Sequence, residues 1–111
     1  MSIAYQKLYR LMDGLGYAES TPGTRFIRDA VEIAAGLDRA MMTKHIYPQI
    51  AKKYGMTKTA VERAIRTATE KATRSPNWEW NWREIGGWNS PTNSEVIMRL
   101  LREVQICELN T

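Results

Sequence analysis

Apolar residues recur at three- and four-residue intervals along most of this chain, the spacing at which one face of an α-helix turns toward a core. Ala4, Leu8, Leu11 and Leu15 form a first stripe, closed by Gly14 and Gly16, which favour the left-handed backbone that stops a helix. Thr21, Pro22 and Gly23 open a second helix with Phe26, Ile27, Ala30, Val31 and Ala34 on its inward face and Gly36 as its stop. A short helix is predicted over Arg39 to Ile46. Pro48 suits the first turn of a helix, where its missing N–H has no intrahelical partner, so Tyr47 to Tyr54 reads as a fresh start broken by Gly55. Thr57 or Thr59 caps the next helix, Thr59 forming a Thr-x-x-Glu box with Glu62, and Val61, Ala64, Ile65 and Ala68 face inward. Pro91 and a second box, Thr92 to Glu95, announce a last helix with Val96, Ile97, Leu100, Leu101 and Val104 on one face, fraying near Asn110. Between Arg74 and Pro91 helical spacing is absent. There Trp78, Trp80 and Trp82 alternate, which puts three indoles on one side of an extended strand or loop. The pattern as a whole predicts an all-α fold of five to six helices.

Length and composition narrow the class. The 111 residues make one domain, spanning 1–111, and a chain that is 43% hydrophobic and 25% charged is ordinary for a globular protein. A single cysteine, Cys107, closes no internal disulfide, and a single histidine, His45, leaves no Cys/His set for zinc. Cys107 reads as a small, partly buried hydrophobe, and the methionines, Met41 and Met42 among them, as core filler. Acyl-transfer triads and metal-hydrolase sites usually need a histidine with an oriented partner; His45 has neither a second ligand nor a nucleophile near it, so no enzyme activity, metal or cofactor is expected. It reads instead as a packing residue or a phosphate contact. The N-terminus, MSIAYQKLYR, lacks the unbroken apolar run of a secretory signal, which implies a cytoplasmic location and no membrane partner.

The net charge is +4, unevenly placed. From Arg39 to Arg74 there are nine basic residues against two acidic ones, Glu62 and Glu70, while the rest of the chain is mildly acidic. A basic middle on such a body suits a polyanion-facing element; it also suits a solvated helix face. The stretch Tyr47 to Arg66 reads as two helices joined at Gly55, the helix-turn-helix spacing, with the motif covering 47–72. Two short helices cross this tightly only over a small residue, supplied by Ala51, and through a turn tolerant of positive φ, supplied by Gly55. Ile50, Tyr54, Met56, Val61 and Ile65 close the core between them.

In such a unit the second helix enters the major groove of double-stranded DNA. Its outward residues give four candidate base readers. Lys58 and Arg63 donate to guanine O6 and N7, Glu62 accepts from the cytosine amino group, and Thr59 meets a base edge or a thymine methyl. Lys44, Lys52, Lys53, Thr57 and Arg66 are candidates for phosphates. Glu62 equally reads as a capping residue that pairs with Arg66 at i,i+4.

Three stretches, Tyr47-Pro48 through Ile50-Ala51-Lys52-Lys53, then Val61-Glu62-Arg63-Ala64-Ile65-Arg66, and Pro91-Thr92-Asn93-Ser94-Glu95, resemble the C-terminal DNA-binding effector domain of the sporulation-initiation response regulator of endospore-forming bacteria. A looser likeness covers Leu11 to Gly16 and Gly23 to Val31, so the resemblance runs from about Leu8 to Val104. It implies a six-helix domain that binds a short DNA box, often as tandem head-to-tail copies. Carried over by position, Glu62 and Arg63 match recognition-helix residues and Arg66 a backbone-contacting one. Ala60 stands where the family has a base-reading arginine, with Lys58 a nearby charge. The family's regulators carry a phosphoacceptor receiver domain; these 111 residues hold none, so phosphorylation-driven dimerisation is not expected within this polypeptide.

Two functions follow. The first is a sequence-specific transcription regulator on double-stranded DNA, as a homodimer or head-to-tail pair. The second is a protein-interaction module that pairs with a full-length regulator protein and modulates it through the tryptophan segment or the last helix. The tryptophans themselves plug the core beneath the last helix, form a protein interface, or stack on bases.

Overall fold

The computed structural model describes residues 2–37, 41–88 and 90–110. They form six α-helices, within the all-α class that the periodicity predicts: α1 (Ile3–Leu15), α2 (Pro22–Ala35), α3 (Tyr47–Tyr54), α4 (Lys58–Ala72), α5 (Trp78–Glu84) and α6 (Asn93–Leu109). No strand occurs among the described residues.

Helix α1 starts where the Ser2 hydroxyl accepts from the Tyr5 N–H and ends at Gly16, whose φ of 100° lets its N–H and that of Tyr17 turn back onto Met12 and Asp13. It passes through Gly14 rather than ending there. Its buried stripe is Ala4, Leu8, Met12 and Leu15, with Leu11 only partly covered, because a step of four from Leu8 stays closer to the core-facing line than a step of three. Helix α2 buries Phe26, Ile27, Ala30, Val31 and Ala34 as expected. It lies against α4, α6 and α3, while α1 packs on α6 and α5, so α2 is the element on which the others are assembled.

Gly23 does more than open α2. A methyl group there would sit 2.0 Å from the Ala64 carbonyl oxygen and 2.8 Å from the Ala68 methyl, so the start of α2 crosses α4 in backbone contact. Nearby, the buried Tyr17 and Thr69 hydroxyls are bonded at 2.8 Å, tying the α1–α2 connection to α4.

Two local expectations are corrected. The short helix expected from Arg39 begins at Met42 as far as the described residues go; Arg39 and Ala40 lie outside them. It is a π-helical turn, Met42–Ile46, that runs directly into α3, so α3 is a continuation and not a fresh start. The tryptophan segment is likewise no strand or loop: α5 is helical, and its 100° steps separate the indoles that alternation had grouped. Trp78 and Trp82, one turn apart, are 6% and 3% exposed and stack at 5.3 Å, with Tyr17 edge-on to Trp78. Trp80, on the opposite face, is 71% exposed, and Trp88 beyond the helix is 84% exposed. The core therefore takes two of the four. Asn81 donates to the Gly14 carbonyl at 2.8 Å and fastens α5 to the end of α1.

Candidate nucleic-acid interface

The joint between α3 and α4 forms for the reasons its residues supply. Ile50 is fully buried and Ala51 nearly so, which lets α4 pass close over α3. Gly55 ends α3 at φ 65°, the left-handed region, with open space around the place its Cβ would occupy; only the backbone conformation demands glycine there. Met56 then turns back, its N–H donating to the Ala51 carbonyl at 2.9 Å. The cap of α4 is Thr57, whose hydroxyl oxygen accepts from the Ala60 N–H at 3.0 Å. This settles the choice between the two threonines, and the box expected between Thr59 and Glu62 does not form. Thr59 is already inside the helix, so its backbone cannot take the extended conformation that a cap requires.

With Val61, Ile65, Ala68 and Ala72 turned inward, the opposite face of α4 is left to solvent. Lys58, Thr59, Arg63 and Arg66 are exposed on it, and Glu62 is half-buried at its edge. Glu62 reaches forward along the helix to Arg66, Oε1 to Nη1 at 2.8 Å. This pair occupies the carboxylate and partly neutralises the arginine. Lys44 projects from the π-helical turn and Lys52 and Lys53 from α3, all exposed. Lys53 is bound to Asp29 of α2 at 3.2 Å, and this hydrogen bond and the Asp29 charge hold its ammonium above the ordinary lysine value. Asp29 also accepts from the Tyr54 hydroxyl at 2.5 Å. Of the five phosphate candidates, then, Lys44 and Lys52 form no ion pair among the described residues, Lys53 and Arg66 are each paired with a carboxylate, and the Thr57 oxygen is engaged in the cap.

Residues the sequence had not singled out as site residues complete the surface. Thr43 and Tyr47, with Lys58, Thr59 and Glu62, line a shallow cleft of about 280 Å³ at the first turn of α4. Burial pushes the Tyr47 phenol above its ordinary value, against the opposing hydrogen bond from Asn93, so the hydroxyl keeps its proton. His45 is half-buried, and its Nδ1 accepts from the Met41 N–H at 2.9 Å and closes the start of the π-helical turn that carries Lys44. No group of three or more His, Cys, Asp or Glu side chains suited to a metal ion occurs among the described residues.

A family model, described as the sporulation initiation factor Spo0A C terminal, matches residues 8–104. The chain belongs to this family. The Spo0A C-terminal domain is a helical DNA-binding domain of sporulation and transcription regulation, not an enzyme family, and the match takes in all of α2 to α5 and most of α1 and α6. The Ala51, Gly55 and Val61 joint and the cations gathered around it lie within the matched residues. Among the described residues no helix is long and apolar enough to cross a membrane.

Proposed function

We propose that this protein is a sequence-specific regulator of transcription that lays α4 in the major groove of double-stranded DNA, acting as one unit over 1–111 with its helix-turn-helix at 47–72. Lys58, Thr59, Glu62 and Arg63 meet base edges, and Lys44, Lys52, Lys53, Thr57 and Arg66 hold the phosphates. The observation that carries this reading is the solvent-facing side of α4, which presents Lys58, Arg63 and Arg66 together within a Spo0A C-terminal domain. Glu62 reads a cytosine by exchanging its bond with Arg66, which releases the arginine toward a phosphate. Ala60 leaves one base position without the arginine of the family, so the preferred box differs from the family's own. The protein works in the cytoplasm, without catalysis, as a homodimer or a head-to-tail pair on tandem boxes.

Selection of bound sequences from a random duplex pool tests this. A recovered motif, with binding that weakens steeply as salt rises, supports the reading; a pool that stays random through successive rounds refutes it. A second reading, a module that pairs with and modulates a full-length regulator protein, is favoured by the exposure of Trp80 and Trp88. Size-exclusion chromatography with and without duplex separates the two, since only the first reading predicts a shift caused by DNA alone.

A further inference from the structure

Asn93, the first residue of α6, reaches back to both helices of the DNA-binding unit. Its Nδ2 lies 3.1 Å from the Tyr47 hydroxyl oxygen on α3 and 3.0 Å from the Glu62 carbonyl oxygen on α4. A backbone carbonyl only accepts, so the nitrogen of the amide is the atom that faces it, and both of its hydrogens are used. The start of α6 has no need of this side chain. Thr92 caps it, accepting from the Glu95 N–H at 3.1 Å and donating its own hydroxyl to the Glu95 carboxylate at 3.2 Å.

The core beneath α3 and α4 is apolar, with Ile50, Ala51, Val61 and Ile65 all buried in it. Apolar contacts fix how far apart two helices lie but resist sliding and rotation only weakly, because they have no direction. The two bonds of Asn93 are directional, and one of them ends on the very turn of α4 that carries Thr59, Glu62 and Arg63. We propose that Asn93 is a positioning residue for base recognition: it braces α4 against α3 and so sets the tilt at which the base-facing side chains are presented. A base-reading constellation must be held within about half an ångström of its working geometry, whereas phosphate contacts on long, flexible side chains tolerate more. This inference rests on the DNA-reading function proposed above.

The test compares the affinity of the full chain for a duplex recovered by selection and for a random duplex of equal length, with the thermal midpoint followed in parallel. Asn93→Ala is expected to lower the ratio of the two affinities roughly five- to tenfold and to leave random-duplex binding within about twofold. Asn93→Asp has the same shape and a charge that suits a helix N-terminus, but it cannot donate. It should show the same loss of ratio on top of a uniform weakening that Ser94→Asp, at an exposed neighbour, reproduces alone. Tyr47→Phe removes one of the two acceptors, predicts a smaller loss in the same direction, and carries the test if Asn93→Ala melts below the assay temperature. An unchanged ratio in folded Asn93→Ala and in Tyr47→Phe overturns the brace and leaves the DNA reading standing. A wild-type chain that does not distinguish the two duplexes overturns the DNA reading, and the brace with it.

Discussion

Replacing Gly23 by alanine puts a methyl carbon 2.0 Å from the Ala64 carbonyl oxygen, about an ångström inside the closest approach that Cβ atoms show. Neither neighbour can swing aside, since the clash is with the backbone of α4 and, at 2.8 Å, with the Ala68 methyl, so α2 and α4 must part. Overpacking of a well-packed interior costs about 1–3 kcal/mol, and a rigid helix–helix contact belongs at the upper end, ~3 kcal/mol, out of a total stability of roughly 5–15 kcal/mol. At about 4 °C per kcal/mol for a chain of this length, the thermal midpoint should fall by ~12 °C. Two other glycines calibrate the result. Gly55→Ala has free space but a φ of 65° and should cost only about 1–2 kcal/mol. Gly14→Ala lies inside α1 with its nearest neighbour at 3.6 Å and should stabilise by roughly 0.5–1 kcal/mol. Circular dichroism melts and urea titrations of the three variants supply the measurement. A Gly23→Ala midpoint within about 2 °C of wild type would refute the claim that α2 and α4 touch backbone to backbone.

The remaining predictions concern the tryptophans, a buried phenol and the Glu62–Arg66 pair. Trp82→Ala should cost about 3–5 kcal/mol in urea denaturation, whereas Trp80→Ala should stay within about 0.5 kcal/mol; similar costs for both would contradict the helical partition of the indoles. Burial pushes the Tyr17 phenol well above its ordinary value, against the Thr69 hydrogen bond. Its contribution to stability is therefore complete below about pH 10 and declines as the pH climbs further, because the unfolded chain ionises where the folded one cannot. Tyr17→Phe should cost ~1 kcal/mol at neutral pH and flatten that alkaline decline, as read from melts across the pH series. Glu62→Gln frees Arg66 and removes a negative charge from the DNA-facing side, so random-duplex affinity should rise about two- to fivefold at low salt in a fluorescence anisotropy titration, with no rise contradicting the pairing.

Much of this architecture is written locally. The i, i+3, i+4 stripes of α2, α4 and α6 survive folding because each buries the residues its period marks, save Ala64 of α4, which is only partly covered, and Ala51 and Gly55 can be read as a tight joint because the demands of small size and positive φ act within one short stretch. What depends on distant chain was hidden. Gly23 looked like a helix opener, since nothing near it in sequence reveals the α4 carbonyl it meets. Asn93 sat in a familiar stretch, yet its partners lie 46 and 31 residues away. The tryptophan segment was misread for a different reason: three indoles at period two masked the i,i+4 pairs Trp78–Trp82 and Glu79–Arg83, the latter bonded at 2.7 Å, which together are a helical signature. Of the site, the exposed face of α4 is legible and Thr57 is one of the two caps the sequence offers, whereas the engagement of Lys53 by Asp29 is not, because that partner lies 24 residues away on α2.

The central claim, that α4 reads base edges, is tested most directly by measuring Arg63→Ala and Arg66→Ala on a selected and a random duplex at several salt concentrations. The account predicts that Arg63→Ala loses about 1–3 kcal/mol on the selected duplex and little on the random one, while Arg66→Ala weakens both alike and lowers the salt slope by about one. An equal loss on the two duplexes for Arg63→Ala would contradict it.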